Sequence, residues 1–372
     1  MNAWFQQDDF AHLKLAAQTP LAELARVLVR PIAQGTFRPL SERFFYWSAY
    51  HIAGLDPLPF HIVSYVTQFV CCTLYVLLVR RIVGSGLAAA VAAAIWATHP
   101  CLTLPVTWIA TTNQLLWIAC ALSALYGFIL YCDTGRRGYL WMSWGAYLLG
   151  FGMLESNVAV AALIPVYAVI FQRARMRHAL AYVLPGLAFA GLHFALIPRA
   201  GGKTYGMHAG AESLKALWTY WKWSWVLEPS ALPIGVPGWV ATLAATLSLL
   251  GVAGLLLAYK GLRREVALGL CCWLILLVPV LPLTQHLSDY YLTGPLLGMG
   301  IILAAVIRQW PRAGILLSVL VAMASVPTSR YYAFTNVQRS KNIEALVKGV
   351  GQVKTAHPGK TILLSGPPCQ HS

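Results

Sequence analysis

Charged residues are scarce in this 372-residue chain: they make up 10% of it, and only 12 residues are acidic. A soluble domain carries roughly 25% charged and about 45–50% apolar residues, whereas 58% of this chain is hydrophobic and its mean hydropathy is +0.64. These values exclude a soluble globular enzyme. They also exclude a disordered chain, which requires low hydrophobicity. The remaining class is a polytopic membrane protein.

Three patterns that would indicate other architectures or a secreted protein are also missing. The eight cysteines form no CxxC motif and have no Cys/His spacing that suits zinc, so they are interpreted as small buried hydrophobes. The first residues lack a basic region followed by an apolar one, so they do not form a signal peptide. The apolar runs are long and continuous rather than short and alternating, which disfavours a transmembrane β-barrel.

The apolar runs predict an all-α fold, a polytopic membrane bundle of about ten transmembrane helices. A spanning helix needs roughly 20 apolar residues, and several runs are short enough to require extension or tilt. The runs are 58–79, 84–98, 113–132, 139–154, 157–172, 178–197, 238–258, 266–283, 290–307 and 312–328.

The net charge of +15 sets an orientation for these runs. Alternate connections are short and basic, and basic connections remain in the cytoplasm. Ten of the twelve acidic residues then fall on the opposite side, the exceptions being Asp133 and Glu265. Either chemistry takes place at that face, or acidic residues simply avoid the basic one. The basic connections are Arg80–Arg81, Arg136–Arg137, Arg173–Arg177, Lys260–Arg264 and Arg308–Arg312.

The orientation divides the chain into three regions. Residues 1–57 form an external loop with an acidic pair and an interfacial helix, 58–328 form the transmembrane bundle, and 329–372 form a short external C-terminal tail. The scheme places 1–57 outside although it contains no span. Either the amino terminus is translocated as a tail, or a leading helix is missing or the start is misplaced. We favour the second interpretation.

Asp8 and Asp9 are the first candidate catalytic residues. Adjacent carboxylates at a membrane surface are costly unless they are used or solvated. Each raises the pKa of the other, so one of them can serve as a general base. The alternative is a solvated acidic turn.

Arg38 is the next candidate, because Pro39 prevents it from continuing a helix. Its guanidinium would bind a phosphate with two bonds, or extend towards lipid head groups.

A third candidate site is the turn 284–291, which lies between two apolar runs on the predicted external side. Polar and hydroxylic groups are concentrated there. His286 and the tyrosines Tyr290 and Tyr291 are suited to coordinate a phosphate or sugar, and Asp289 stands beside them. The alternative is an interfacial tyrosine belt with a solvated turn.

The ordered series of motifs over about residues 1–330 resembles the GT-C superfamily of integral-membrane glycosyltransferases. It is most similar to the protein O-mannosyltransferase-like and tetratricopeptide-bearing O-mannosyltransferase branch, without the repeats. The motifs are Asp8–Phe10, Phe37–Leu40, Gly54–Pro57 with Phe60–His61, Arg80–Gly84, Trp96–Pro100, Val106–Ile109, Glu155–Asn157 and Gln285–Leu292.

The resemblance implies a polyprenyl-phosphate-linked sugar donor and an active site on the periplasmic or lumenal face. Asp8 and Asp9 match the family's acidic pair, which follows a first spanning helix that this chain lacks. Arg38 matches a basic residue before the external-loop Pro-Leu, and His286 and Asp289 match the motif before a later helix. The second aspartate either orients the acceptor or binds a divalent ion, the only cofactor considered.

The predicted function is therefore transfer of a sugar from a polyprenyl-phosphate donor to an acceptor hydroxyl, with inversion and an Asp general base. The acceptor is a protein, lipid or glycan, nucleic acid is not a partner, and the expected location is a bacterial inner membrane with a periplasmic active site. Two alternatives remain: a flippase or transporter of lipid-linked saccharide, and an inactive membrane scaffold of the same fold. Acids at helix ends rather than at mid-membrane count against transport.

Overall fold

A computed structural model describes residues 3–30, 36–197, 206–208, 210–226 and 237–362. Within these ranges the chain forms sixteen α-helices and no β-strand. Residues 1–2 and 31–35 of the predicted external loop, and 363–372 of the predicted tail, lie outside the described residues. The helices are α1 (Asp9–Gln18), α2 (Leu21–Val29), α3 (Phe45–Ala53), α4 (Leu58–Val83), α5 (Gly86–Ala97), α6 (Thr103–Thr107), α7 (Asn113–Thr134), α8 (Arg137–Gly150), α9 (Val160–Phe171), α10 (Met176–Leu180), α11 (Val183–Leu196), α12 (Ala211–Trp223), α13 (Gly238–Ala258), α14 (Arg263–Leu277), α15 (Leu296–Gln309) and α16 (Pro311–Ala356).

The predicted all-α membrane bundle is confirmed, and a helix occupies each of the ten apolar runs. In the described part of the chain, five helices are individually long and apolar enough to cross a membrane. A sixth results if α5 and Pro100–Thr107, which meet at a bend of 62°, count as one broken span. Helix length therefore supports fewer complete spans than the ten runs suggested. The five are α4, Ile109–Thr134, Arg173–Leu196, α13 and α16.

Proline and glycine explain why the other helices are short. α8, α14 and α15 contain 14, 15 and 14 residues, or about 21–23 Å at 1.5 Å per residue, less than the roughly 30 Å hydrocarbon core. α15 begins after Pro295 and ends before the Trp310-Pro311 step. α14 ends just before Val278-Pro279; Val278 keeps helical backbone angles, and Pro279 has no N–H with which to continue the helical hydrogen bonds.

The basic connections meet at one end of the bundle. Arg81 pairs with Asp133 at 3.0 Å, and Arg308 pairs with Glu265 at 2.9 Å. Arg308 also donates to the backbone oxygen of Val83, and Arg175 stacks on a tyrosine near the end of α7. The two acidic residues that the orientation scheme left on the basic side are therefore both paired with arginine there.

The first described residues are attached to the opposite end of the bundle. The backbone N–H of Leu40 donates to the oxygen of Gly152 at 2.9 Å, and the Ser41 hydroxyl donates to the oxygen of Met153 at 2.6 Å. The Trp108 indole donates to the oxygen of Gln6. These residues also form an apolar cluster separate from the main core of the bundle. The cluster includes Trp4, Phe5, Phe45, Tyr46 and Phe60.

The close packing of α14 and α15 depends on glycine. A Cβ at Gly298 would collide with the backbone oxygen of Gly269 and lie 2.7 Å from the backbone nitrogen of Trp273. Small residues allow such close approach between membrane helices. The same helix α15 is held to α4 by the Tyr75 hydroxyl, which donates to the oxygen of Leu297 at 2.6 Å.

We therefore expect Gly298→Ala to destabilise the bundle, because backbone cannot move aside as a flexible side chain would. The expected loss is about 1–3 kcal/mol, the usual range for overpacking. Gly251→Ala in α13 is the matched control, since a Cβ there would meet nothing within 4 Å. Thermal unfolding of both variants in the same detergent measures the difference. Equal melting temperatures for the two variants would contradict the proposed packing.

Candidate active site

The structure separates the two members of the acidic pair. Asp8 precedes α1 and is exposed, whereas Asp9 begins α1 and has no exposed surface. The Tyr46 hydroxyl donates to one oxygen of Asp9 at 2.6 Å, and the backbone N–H of Gln6 donates to the other at 2.8 Å. Burial raises the pKa of Asp9 to about 7, although these two hydrogen bonds oppose the shift. The adjacent residues therefore have different environments, one open to solvent and one enclosed.

His12 lies one turn after Asp8 on α1 and connects the acidic pair to Arg38. Its ring packs against that of Tyr46, with centroids 4.8 Å apart and the planes tilted by 38°. The pKa of His12 is lowered, first by burial and then by the positive charges of Arg38 and Arg43, while Glu42 and Asp8 oppose the shift. The surroundings of His12 therefore disfavour its charged form and include charged groups of both signs.

Arg38 is fixed by two carboxylates. Its Nη1 donates to Glu42 at 2.6 Å, and its Nε donates to Glu155 at 2.7 Å. The second oxygen of Glu155 accepts from the backbone N–H of Phe37 at 2.9 Å. Burial favours the neutral forms, but the opposite charges outweigh it: the pKa of Arg38 is raised and the pKa of Glu155 is lowered. The group carries one net negative charge, and Nη2 is the nitrogen of Arg38 outside both ion pairs.

The turn 284–291 lies at the same end of the bundle. Tyr291 is within electrostatic range of Arg38, and its ring packs against those of Tyr290 and His286 at centroid distances of 4.7 and 6.0 Å. Burial lowers the pKa of His286. His286, Tyr290 and Tyr291 are therefore packed together in this turn, and Tyr291 is the member that interacts electrostatically with Arg38.

Asp289 is on the other side of this turn, near Tyr220 of α12 and Cys101. Burial raises the pKa of Asp289 to about 6, although the backbone N–H groups of Asp289 and Tyr290 stabilise its carboxylate. The carboxyl is near the start of a short turn, Asp289–Leu292. Its electrostatic neighbours are the Tyr220 hydroxyl and the Cys101 thiol.

The acidic pair does not fit a divalent ion. Both oxygens of Asp9 already accept hydrogen bonds, and Asp9 is buried while Asp8 is exposed. Over the described ranges, no three His, Cys, Asp or Glu side chains come together in a way that could hold a metal. The acidic pair is therefore not assigned to metal binding.

Three residues of the site were missed as candidates in the sequence. Glu42 lies four positions after Arg38, and His12 lies four positions after Asp8. Since Arg38 and Asp8 were predicted site residues, helical spacing could have identified both. Tyr46 had no comparable signal, because its bond to Asp9 crosses between α3 and α1. Glu155 belonged to a recognised motif, but its pairing with Arg38 spans 117 positions and could not be inferred from spacing.

Comparisons with known proteins support the fold. No protein-family model matches the chain. The Protein O-mannosyl-transferase Tmtc1 of Drosophila melanogaster is 28% identical over 179 residues, which cover 44% of this chain and 20% of that protein. The crystal structure of the Archaeoglobus fulgidus oligosaccharyltransferase in its apo form matches 90% of this chain with a TM-score of 0.52 and 11% identity.

The chain spans about a fifth of the length of the curated relative and 52% of the archaeal chain. At 11% identity the structural match establishes the fold rather than the activity. The chain therefore shares the helical membrane fold of the archaeal chain, and the resemblance seen in the motifs agrees with both similarities at the level of the fold.

We expect Arg38→Met to destabilise the protein by about 3–5 kcal/mol, because it leaves two shielded carboxylates without their cation. Arg81→Met is the matched control. Its pair with Asp133 is more open, with 42% and 33% of the two side chains exposed, so its loss should cost less than about 1 kcal/mol. Thermal unfolding of both variants gives the comparison. A smaller loss for Arg38→Met than for Arg81→Met would contradict the ion-pair assignment.

The raised pKa of Asp9 predicts a pH dependence of stability. The ordinary Asp pKa is 3.8 and that of Asp9 is about 7, so between these values the folded protein binds the proton that the unfolded chain releases. Stability should therefore fall as pH rises from about 4 to 7. Asp9→Asn should flatten this slope. Unfolding of wild type and variant across pH 4–8 provides the test, and identical slopes would show that Asp9 does not titrate in this range.

Proposed function

We propose that this chain is a glycosyltransferase that moves a sugar from a polyprenyl-phosphate donor to an acceptor hydroxyl, with Asp8 as the general base. The observation that carries the proposal is the asymmetric acidic pair, in which Asp8 is exposed and Asp9 is buried beside Tyr46. The GT-C-like fold is consistent with it, and two similar proteins carry the names O-mannosyl-transferase and oligosaccharyltransferase.

The base in this reaction must reach the acceptor hydroxyl within hydrogen-bonding distance. Asp8 is exposed and therefore open to an acceptor, whereas Asp9 has no exposed surface. In the proposed step the acceptor oxygen forms a bond to the anomeric carbon and the bond from that carbon to the phosphate oxygen breaks. Asp8 takes the hydroxyl proton, and polyprenyl phosphate departs with the bonding electron pair. A single displacement of this kind inverts the anomeric carbon.

Stabilisation of the departing phosphate is assigned to Arg38 with His286 and the adjacent tyrosines. The donor phosphate is already a good leaving group, so no general acid is required, whereas a glycoside hydrolase normally uses two carboxyl groups that flank the bond. A fixed cation aimed at the developing charge is effective because it does not reorganise during the reaction. Nη2 of Arg38 lies outside its two ion pairs, and it is the group we assign to the phosphate.

The proposed site lies at the end of the bundle opposite the arginine connections. Because basic connections remain cytoplasmic, the reaction is placed on the external face, which is periplasmic if the chain resides in a bacterial inner membrane. Asp289, near the hydroxyl of Tyr220, is assigned to the sugar. In this proposal the described parts of residues 1–57 and the turn 284–291 face the donor head group, and the helices on either side of that turn hold it in the membrane.

Asp8→Asn is expected to reduce transfer by about 100-fold or more, the usual contribution of a general base. The measurement uses purified protein in lipid nanodiscs with polyprenyl-phosphate mannose and a hydroxyl acceptor, followed by mass spectrometry of the product. Mannose is the first sugar to test because of the name of the Drosophila relative. The matched control is Asp56→Asn, an exposed acid whose side chain caps α4 and whose cap an asparagine can retain.

Three outcomes contradict the proposal. Equal transfer by Asp8→Asn and wild type would remove the assigned base. Movement of the donor across the bilayer without its consumption would indicate a flippase instead. Absence of transfer from every polyprenyl-phosphate sugar, by a folded wild-type protein, would indicate a membrane scaffold.

A further inference from the structure

Helix α16 continues without a break past its apolar segment, from Pro311 to Ala356, so the predicted tail is helical over most of its length. This extension packs against the first described residues. The backbone N–H of Trp4 donates to the buried hydroxyl of Ser340 at 3.0 Å, and that hydroxyl donates to the oxygen of Val337 at 2.8 Å. Ile343 of the same helix packs against the apolar cluster that contains Trp4.

A second contact from α16 reaches the residue before Asp8. The guanidinium of Arg339 lies against the carboxamide of Gln7 and donates to its oxygen through both Nη1 and Nη2. The orientation of the amide follows from the partner, because arginine has donors only. Gln7 has a φ of +47°, a left-handed conformation that is uncommon for residues other than glycine and that persists only when neighbouring contacts impose it.

The conformation of Gln7 determines how the acidic pair is presented. Gln6, on one side of it, donates its backbone N–H to the carboxylate of Asp9 and accepts from the backbone N–H of the same residue. On its other side, Asp8 is the exposed residue that precedes α1. A change in backbone direction at Gln7 would therefore reorient Asp8 and break the bonds that keep Asp9 inward.

We propose that Arg339 and Ser340 are positioning residues, and that the extension of α16 holds the Gln6–Gln7 turn so that Asp8 faces the substrate and Asp9 faces the interior. This inference rests on the proposed function for its catalytic consequence. Ser340 anchors the segment through Trp4, and Arg339 anchors it through Gln7. Neither residue is required to touch the donor or the acceptor.

Kinetics of transfer separate a positioning role from a purely structural one. Arg339→Met should lower kcat by about 10-fold to 100-fold, the range expected from small misplacement of a reacting group, with KM for the donor unchanged. Arg339→Lys should recover part of the loss, because lysine retains a donor. Lys348→Met is the matched control, since Lys348 pairs with Glu344 on the same helix. Unchanged kcat in Arg339→Met, or a change in KM alone, would overturn the proposal.

A double-mutant cycle tests whether Arg339 acts through Gln7. If it does, Gln7→Ala combined with Arg339→Met should lose no more activity than the more severe single variant. Losses that multiply would show that the two residues act independently, which would overturn the proposed connection.

Hydrogen exchange tests the positioning without any need for transfer. In wild type the amides of Trp4 and Gln6 should be protected by Ser340 and Asp9. Ser340→Ala and Arg339→Met should each speed exchange in the peptide that covers residues 3–12, and Lys348→Met should not. Unchanged protection would overturn the positioning role. Faster exchange together with a wild-type protein that transfers no sugar would retain the positioning role and reject the proposed function.

Discussion

The ion pair between Arg38 and Glu155 joins parts of the chain that lie 117 positions apart, and the placement of the candidate site depends on it. Arg38 belongs to the segment that carries the acidic pair, and Glu155 lies at the tip between α8 and α9. Glu42 shares the guanidinium, so the pairing is reinforced from within the first segment. Charge-assisted hydrogen bonds of this kind fix geometry as well as adding stability. The external segment therefore has a defined position on the bundle.

The hydrocarbon core explains why the ends of the bundle could be predicted from sequence. Ionised groups are costly inside a membrane, so charges concentrate at the two ends and their order along the chain shows which ends coincide. The structure brings the arginine connections together as that order indicates. Asp133 and Glu265, which the pattern left on the basic side, are there because each neutralises an arginine.

Other features were beyond the reach of sequence patterns. Long apolar runs located the helices, but complete spans depend on where each helix begins and ends, as at Pro295 and Pro311. Asp8 and Asp9 are adjacent and chemically identical, so only tertiary contacts distinguish the exposed residue from the buried one. The apolar run of α16 ends near residue 328, yet nothing in the following polar residues stops a helix. The extension contacts the region of Trp4 and Gln7, which lies more than 300 positions earlier in the chain.

Three unfavourable local features occur together near Asp8. Gln7 adopts a left-handed backbone, and Asp9 buries a carboxyl. Arg43 is 3% exposed, and two of its nitrogens have no hydrogen-bond partner among the described residues. Each costs stability on its own, and the bundle itself needs none of them. Local conflicts that persist in a folded protein concentrate at functional sites, because the surrounding structure imposes them. All three lie in the segment that carries Asp8, at the end of the bundle opposite the arginine connections, and this is the physical reason why the proposed chemistry is assigned to that end.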